Sequence, residues 1–112
     1  EALNGTFFCN LYSPDDTSDL NKNFVAEYQK MFNAKPDVFA ALAHDSAMAI
    51  VKSIEDAKSA DPAKVAQAMA KIKDLQGVSG AITFDDKHNP IKSAVIIEHV
   101  DGKQTFKTKI NP

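Results

Sequence analysis

The chain has one cysteine, Cys9, in 112 residues, so no intrachain disulfide can form and its redox compartment cannot be read from thiol content. No apolar run approaches the ~20 residues needed to cross a bilayer. Basic residues do not outnumber acidic ones: 13 against 15 give a formal net charge of -2. A basic surface that would draw nucleic acid by counterion release is therefore missing. There is no phosphate-cradling glycine loop, internal repeat or low-complexity tract. His44, His88 and His99 lie far apart, no His-x-x-x-His pair exists and Cys9 has no partner, so neither metal nor cofactor is expected. The chain begins at Glu1 without a leader sequence, which says nothing about export.

What is present fits one globular domain with a modest core, since 44% of residues are hydrophobic and 25% charged. Gly5 to Tyr12 is rich in aromatics and β-formers and predicts a strand covered on both faces. The loop Ser13 to Ser18 ends in good N-cap residues. Leu20, Phe24, Tyr28 and Met31, joined by Val25 and Phe32, recur at helical spacing through Phe32. Asn33-Ala34-Lys35-Pro36 closes that helix, and Pro36-Asp37 opens a second, Val38 to Ala57. This second helix is apolar nearly all round, the pattern of a helix buried on more than one side. Asp61-Pro62 starts a third, with Val65, Ala68, Met69 and Ile72 in a narrow stripe. Strands are predicted at Ala81 to Phe84, Ser93 to Val100 and Gln104 to Ile110, the last two joined by a two-residue Asp101-Gly102 hairpin. The resulting order is β-α-α-α-β-β-β with a small antiparallel finish. Three helices followed by these strands suit the end of a larger protein.

His44-Asp45-Ser46 holds the residue types of a hydrolytic triad, but neighbours on a helix project about 100° apart and cannot form a nucleophile–base–orienter chain. No Gly-x-Ser-x-Gly elbow exists either. Asp45 in so apolar a helix needs partners: it is either satisfied at an internal interface or lines a polar cleft. Asp85-Asp86-Lys87-His88-Asn89 lacks the spaced carboxylates, central glycine and closing glutamate of a calcium loop, and predicts a polar turn. Phe39 stands in the first turn of the buried helix, beside unpaired backbone N–H groups with positive dipole character. It either packs in the core or faces a pocket for a small molecule with an aliphatic part and a carboxylate.

Phe24-Val25-Ala26-Glu27-Tyr28, Pro36 to Ser46, and Gly77-Val78-Ser79-Gly80-Ala81-Ile82-Thr83-Phe84-Asp85 together resemble the C-terminal part of the branched-chain amino acid binding proteins. Asn89-Pro90, Lys92 to Ile97, Asp101-Gly102-Lys103 and Lys109-Ile110-Asn111-Pro112 fit in the same order. These are receptors of ABC importers with the type I periplasmic binding fold, in which two α/β lobes joined by three crossing segments close on a ligand. The resemblance implies an α/β fragment: residues 1–33 in the C-terminal lobe, 34–76 packing on the N-terminal lobe and 77–112 in hinge-proximal strands. It implies no enzyme activity, a small amino acid-like ligand, a membrane permease as partner and an extracytoplasmic location, with a lipid anchor in a Gram-positive-type envelope.

It maps a ligand side-chain contact onto Phe39, with Tyr12 and Asp45 as further candidates for the site. His44 stands where many relatives carry a tyrosine and receives no role. The family's groups for the ligand's carboxylate and amino group lie upstream of Glu1. The chain alone is then expected to bind such ligands poorly and to self-associate or swap elements through its second helix. A signalling receptor ectodomain of the same fold and a non-catalytic interaction module are the alternatives.

Overall fold

In a computed structural model, which describes residues 2–112, nine elements follow one another. They are β1 (Phe7–Asn10), α1 (Asp19–Phe32), α2 (Val38–Ala57), α3 (Pro62–Met69), β2 (Leu75–Gly77), β3 (Gly80–Phe84), β4 (Pro90–Lys92), β5 (Ala94–Val100) and β6 (Lys103–Ile110). Each helix opens on an extended residue whose side chain accepts an N–H three positions on: Ser18 from Asn21, Asp37 from Ala40 and Asp61 from Lys64. Two of them stop on left-handed residues, Asn33 and Lys58.

The strands form two antiparallel sheets, ordered β1-β5-β6 and β2-β3-β4. Chain passes from the second sheet to the first at Ser93, which is buried. Asp101 and Gly102 both take positive φ, 50° and 75°, as a type I′ hairpin requires. Asp85 closes the β3–β4 turn, its carboxylate accepting the Lys87 and Asn89 N–H groups at 2.8 Å. The sequence pattern had shown neither β2 nor β4, because three-residue strands built of Leu-Gln-Gly and Pro-Ile-Lys are too short to carry a period.

Two expectations about burial need correction. β1 is a four-residue edge strand with Phe7 and Cys9 exposed, so it is not covered on both faces. The apolar stripe of α1 lies largely open. Leu20, Met31 and Phe32 are exposed, Phe24, Tyr28 and Phe32 stack in a ladder at 5.8 and 4.6 Å, and the one buried residue of the helix is Asn21.

In α2 the small residues face inward. Ala41, Asp45, Ala49 and Ser53, spaced by four, are buried, while Phe39, Met48, Ile50, Val51 and Ile54 are exposed. The helix is therefore buried on one narrow face and not on more than one side as its composition predicts, and the usual amphipathic arrangement, in which large apolar side chains seek the core, is reversed. The inner face meets Tyr12 and Val78, with Phe24 and Val38 packed alongside. Close backbone approaches fall into two groups: β1, β5 and β6 among themselves, and α2 with α3 and β2, continuing through β3 to β4. The outline is elongated, 53 × 33 × 20 Å, with a radius of gyration of 16.1 Å. A compact domain of this length would have about 13 Å.

Candidate functional site

The two groups meet at an open cleft of about 420 Å³. Its walls are the end of β1, the loop after it, the Lys35–Val38 link between α1 and α2, and Ile97 and Gln104 from the first sheet. Tyr12 forms one wall and is nearly inaccessible; its hydroxyl donates to Asn21 Oδ1 at 2.8 Å. The Asn21 amide in turn donates to the carbonyls of Ser13, Pro14 and Asp16, so one buried side chain ties the loop to α1. Burial pushes the Tyr12 phenol well above its ordinary value, and the carboxylates of Asp16, Asp15 and Asp45 push the same way. Tyr12 is thus a neutral hydrogen-bond donor whose proton is already committed.

Phe39 lies directly after Val38, a wall residue, and is 76% exposed. Asp37 takes only the Ala40 N–H, at 2.8 Å, leaving the Val38 and Phe39 amides in a first turn that has no intrahelical acceptor. A large apolar surface therefore stands beside free donors and the positive end of a 20-residue helix. At the rim, Lys35 and Asp15 approach to 3.7 Å, both well exposed, a pair worth little to stability.

Asp45 is elsewhere. Its carboxylate is 2% exposed and accepts the Val78 and Ser79 N–H groups at 2.8 and 2.9 Å as well as the Ser79 hydroxyl. Lys92, only 10% exposed, donates to the Ser79 hydroxyl oxygen and brings its ammonium to 3.9 Å from Asp45. Burial lowers the Lys92 pKa; Asp45 opposes that and Lys109 adds to it. Asp45 does not line the Tyr12 cleft. It borders a separate depression of about 310 Å³ between α2 and the β3–β4 hairpin. Of its neighbours in sequence, His44 brings Nδ1 to 3.2 Å from the Asp45 carboxylate while its ring stacks on Phe24 at 4.9 Å, and Ser46 turns away, donating to the Leu42 carbonyl at 2.7 Å. Among the described residues, no group of three or more His, Cys, Asp or Glu is placed to hold a metal ion.

Residues 1–105 match the family model for periplasmic binding proteins. The chain belongs to the periplasmic binding protein family. Its fold is that of a segment of the type I periplasmic binding fold. Among similar solved structures, a leucine binding protein of Thermotoga maritima is 34% identical with a TM-score of 0.86, over 100% of this chain and 32% of that one. A branched-chain amino acid transporter substrate binding protein of Streptococcus pneumoniae, in complex with isoleucine, is 31% identical with a TM-score of 0.80, over 95% and 30%. A solute binding protein of an ABC transporter from Rhodopseudomonas palustris, in complex with 3,4-dihydroxy benzoic acid, is 26% identical with a TM-score of 0.84, over 99% and 32%. This chain spans about a third of the length of these relatives.

In this periplasmic binding protein segment, the sequence offers Phe39, Tyr12 and Asp45 as candidates but not the groups that hold them. Asn21 sits beside Leu20 in an apolar stripe, and nothing in its spacing announces a buried amide with four partners. Asp16 and Ser79 look like ordinary loop polars. Gly77 carries the clearest overlooked signal: a glycine next to a turn, where a backbone must come close to something.

Proposed function

We propose that this chain is the C-terminal part of an extracytoplasmic solute-binding protein that captures an amino acid or similar small carboxylate for an ABC importer. Capture makes and breaks no covalent bond. Two lobes close around the ligand, and binding free energy selects the closed state that the membrane permease recognises. In this reading β1, β5 and β6 belong to one lobe, and the helices with β2, β3 and β4 to the other. The helix α1 goes with α2 rather than with β1, because Phe24 packs on the Tyr12–Ala41–Val78 cluster.

Phe39 is the ligand's apolar contact, and the amides at the α2 N-terminus favour its negative end. Tyr12 walls the cleft and, by its bond to Asn21, fixes the loop at the crossing. Asp45 acts at one remove, by holding the Val78–Ser79 turn against the Tyr12 cluster. The observation that carries this reading is Phe39 itself, 76% exposed beside uncapped amides at the junction of the two groups. The bare outer face of α2, with Met48, Ile50, Val51 and Ile54 in solvent, supports a further lobe packing there.

The leucine binding protein and the isoleucine complex support a branched-chain amino acid as ligand. The 3,4-dihydroxy benzoic acid complex supports a second class, an aromatic carboxylate, which would also use an apolar wall and a carboxylate-binding end. Calorimetry on the full-length protein with L-leucine, L-isoleucine and benzoate separates them. Saturable binding of one class is expected, and binding of none of the three contradicts the reading.

A further inference from the structure

We propose that Lys109 and Asp16 form a clasp across the hinge, tying the strand that ends the chain to the first crossing segment and thereby setting how freely the two groups move. The proposal rests on the lobe-closure reading above and adds the residues that limit the motion. Few backbone approaches join the two groups, so side chains at the crossings must fix their relative position. Lys109 stands on β6, in the first sheet, and its ammonium reaches the Asp16 carboxylate at 2.5 Å. Asp16 lies in the loop that carries chain from β1 to α1. The pair is largely sheltered, at 27% and 10% exposure.

Asp16 is not a free surface partner. Its carboxylate accepts the Ser18 N–H at 2.9 Å and its carbonyl accepts the buried Asn21 amide at 2.8 Å, so its position costs little further ordering when Lys109 docks. On its way Lys109 passes the other group: a β-carbon placed on Gly80, where β3 begins, would lie 4.0 Å from its ammonium and 3.4 Å from the Ser93 hydroxyl. Ser93, at the second crossing, donates to the Asn111 side chain at 2.9 Å. Lys92, one residue earlier, is held by Ser79 beside Asp45. Both crossings are thus pinned within a few residues of each other. Among the described residues, the Lys109–Asp16 pair alone joins the first crossing to β6 by a side-chain hydrogen bond or ion pair, which makes it the contact that a rotation about the crossings must stretch.

The test uses the full-length protein with a spin label on each lobe and measures interlobe distances without ligand. K109M and D16N should each broaden the distance distribution, and K109R, which keeps the charge, should stay closer to the wild-type width. L-leucine affinity should change about threefold to tenfold in each single variant, non-additively in K109M/D16N, as for one charge-assisted contact. Unchanged widths in both single variants overturn the clasp. If one single variant does not fold, the other decides, because a width unchanged from wild type in it also overturns the clasp. Failure of the functional reading looks different: no distance change in the wild type on adding L-leucine, L-isoleucine or benzoate, while the ligand-free widths still judge the clasp.

Discussion

A β-carbon on Gly77 would lie 2.5 Å from Oδ2 of Asp45, closer than a β-carbon approaches an oxygen without something shifting. Glycine at 77 and aspartate at 45 are therefore one device. The bare backbone of β2 lets the carboxylate pass beneath it to the Val78 and Ser79 amides. Gly77→Ala should push Asp45 away and forfeit those charge-assisted bonds, at a cost of about 2–3 kcal/mol. Asp45→Ala should cost about 3–5 kcal/mol, since it also strands the sheltered Lys92 without its carboxylate. Denaturant unfolding of the full-length variants measures both, and losses below about 0.5 kcal/mol would show the turn to be held by something else.

Alkaline stability should depend on Tyr12. Its phenol is raised well above the ordinary value of about 10, so the fold favours the neutral form. That contribution is complete below the unfolded value and is lost as pH climbs past it. Tyr12→Phe should remove this part of the alkaline slope. At neutral pH it should cost about 1–3 kcal/mol, because Asn21 Oδ1 loses its donor while buried. Unfolding curves for the two proteins between neutral pH and about pH 11 provide the comparison.

Acid behaves in the opposite sense at Asp16. Burial alone would raise its pKa, but hydrogen bonds from Lys109 and Ser18 outweigh that and lower it. A depressed carboxylate stabilises above its unfolded value, about 4, and that stability disappears as pH falls through the folded value. Asp16→Asn should flatten the loss of stability below about pH 4 relative to wild type. Parallel slopes would mean that Asp16 and Lys109 do not interact in solution.

How far the fold could be read in advance followed from which residues punctuate it. Ser18, Asp37 and Asp61 announce the helix starts, and α2 came out from Val38 to Ala57 as expected because its proline, cap and long run agree. Asp101-Gly102 likewise dictates its hairpin. Burial was harder. The Leu20–Phe32 stripe has helical spacing, yet period says only that one face is apolar and not that anything covers it. In α2 the apolar count concealed the real arrangement, since its buried face is made of alanines, a serine and Asp45. Of the candidate site, Phe39 is offered by residue type, position and the family resemblance, and Tyr12 by its place at the end of the first strand. Asn21, Asp16 and Lys109 could not be picked out, because their roles lie in side-chain contacts that carry no spacing signal, around one loop for Asn21 and between distant segments for Asp16 and Lys109.

The exposed faces of α1 and α2 carry a prediction about the 112-residue chain by itself. With Phe32, Met31, Ile50, Val51 and Ile54 in solvent, it should self-associate or exchange elements at micromolar concentration. Sedimentation velocity should show oligomers whose share grows with concentration. A monodisperse monomer that unfolds cooperatively would mean those faces need no cover.

The most direct test is the affinity of the full-length protein for L-leucine with and without Phe39→Ala, measured by calorimetry beside unfolding stability. With Phe39 as the proposed apolar contact, removing its phenyl group should weaken binding about 10- to 100-fold, the worth of one large apolar contact. Stability should stay within about 0.5 kcal/mol of wild type, because the ring is exposed on this chain and in the proposed reading faces the ligand and not the covering lobe. Equal affinity in the two proteins, or an affinity lost only together with stability, would contradict the account.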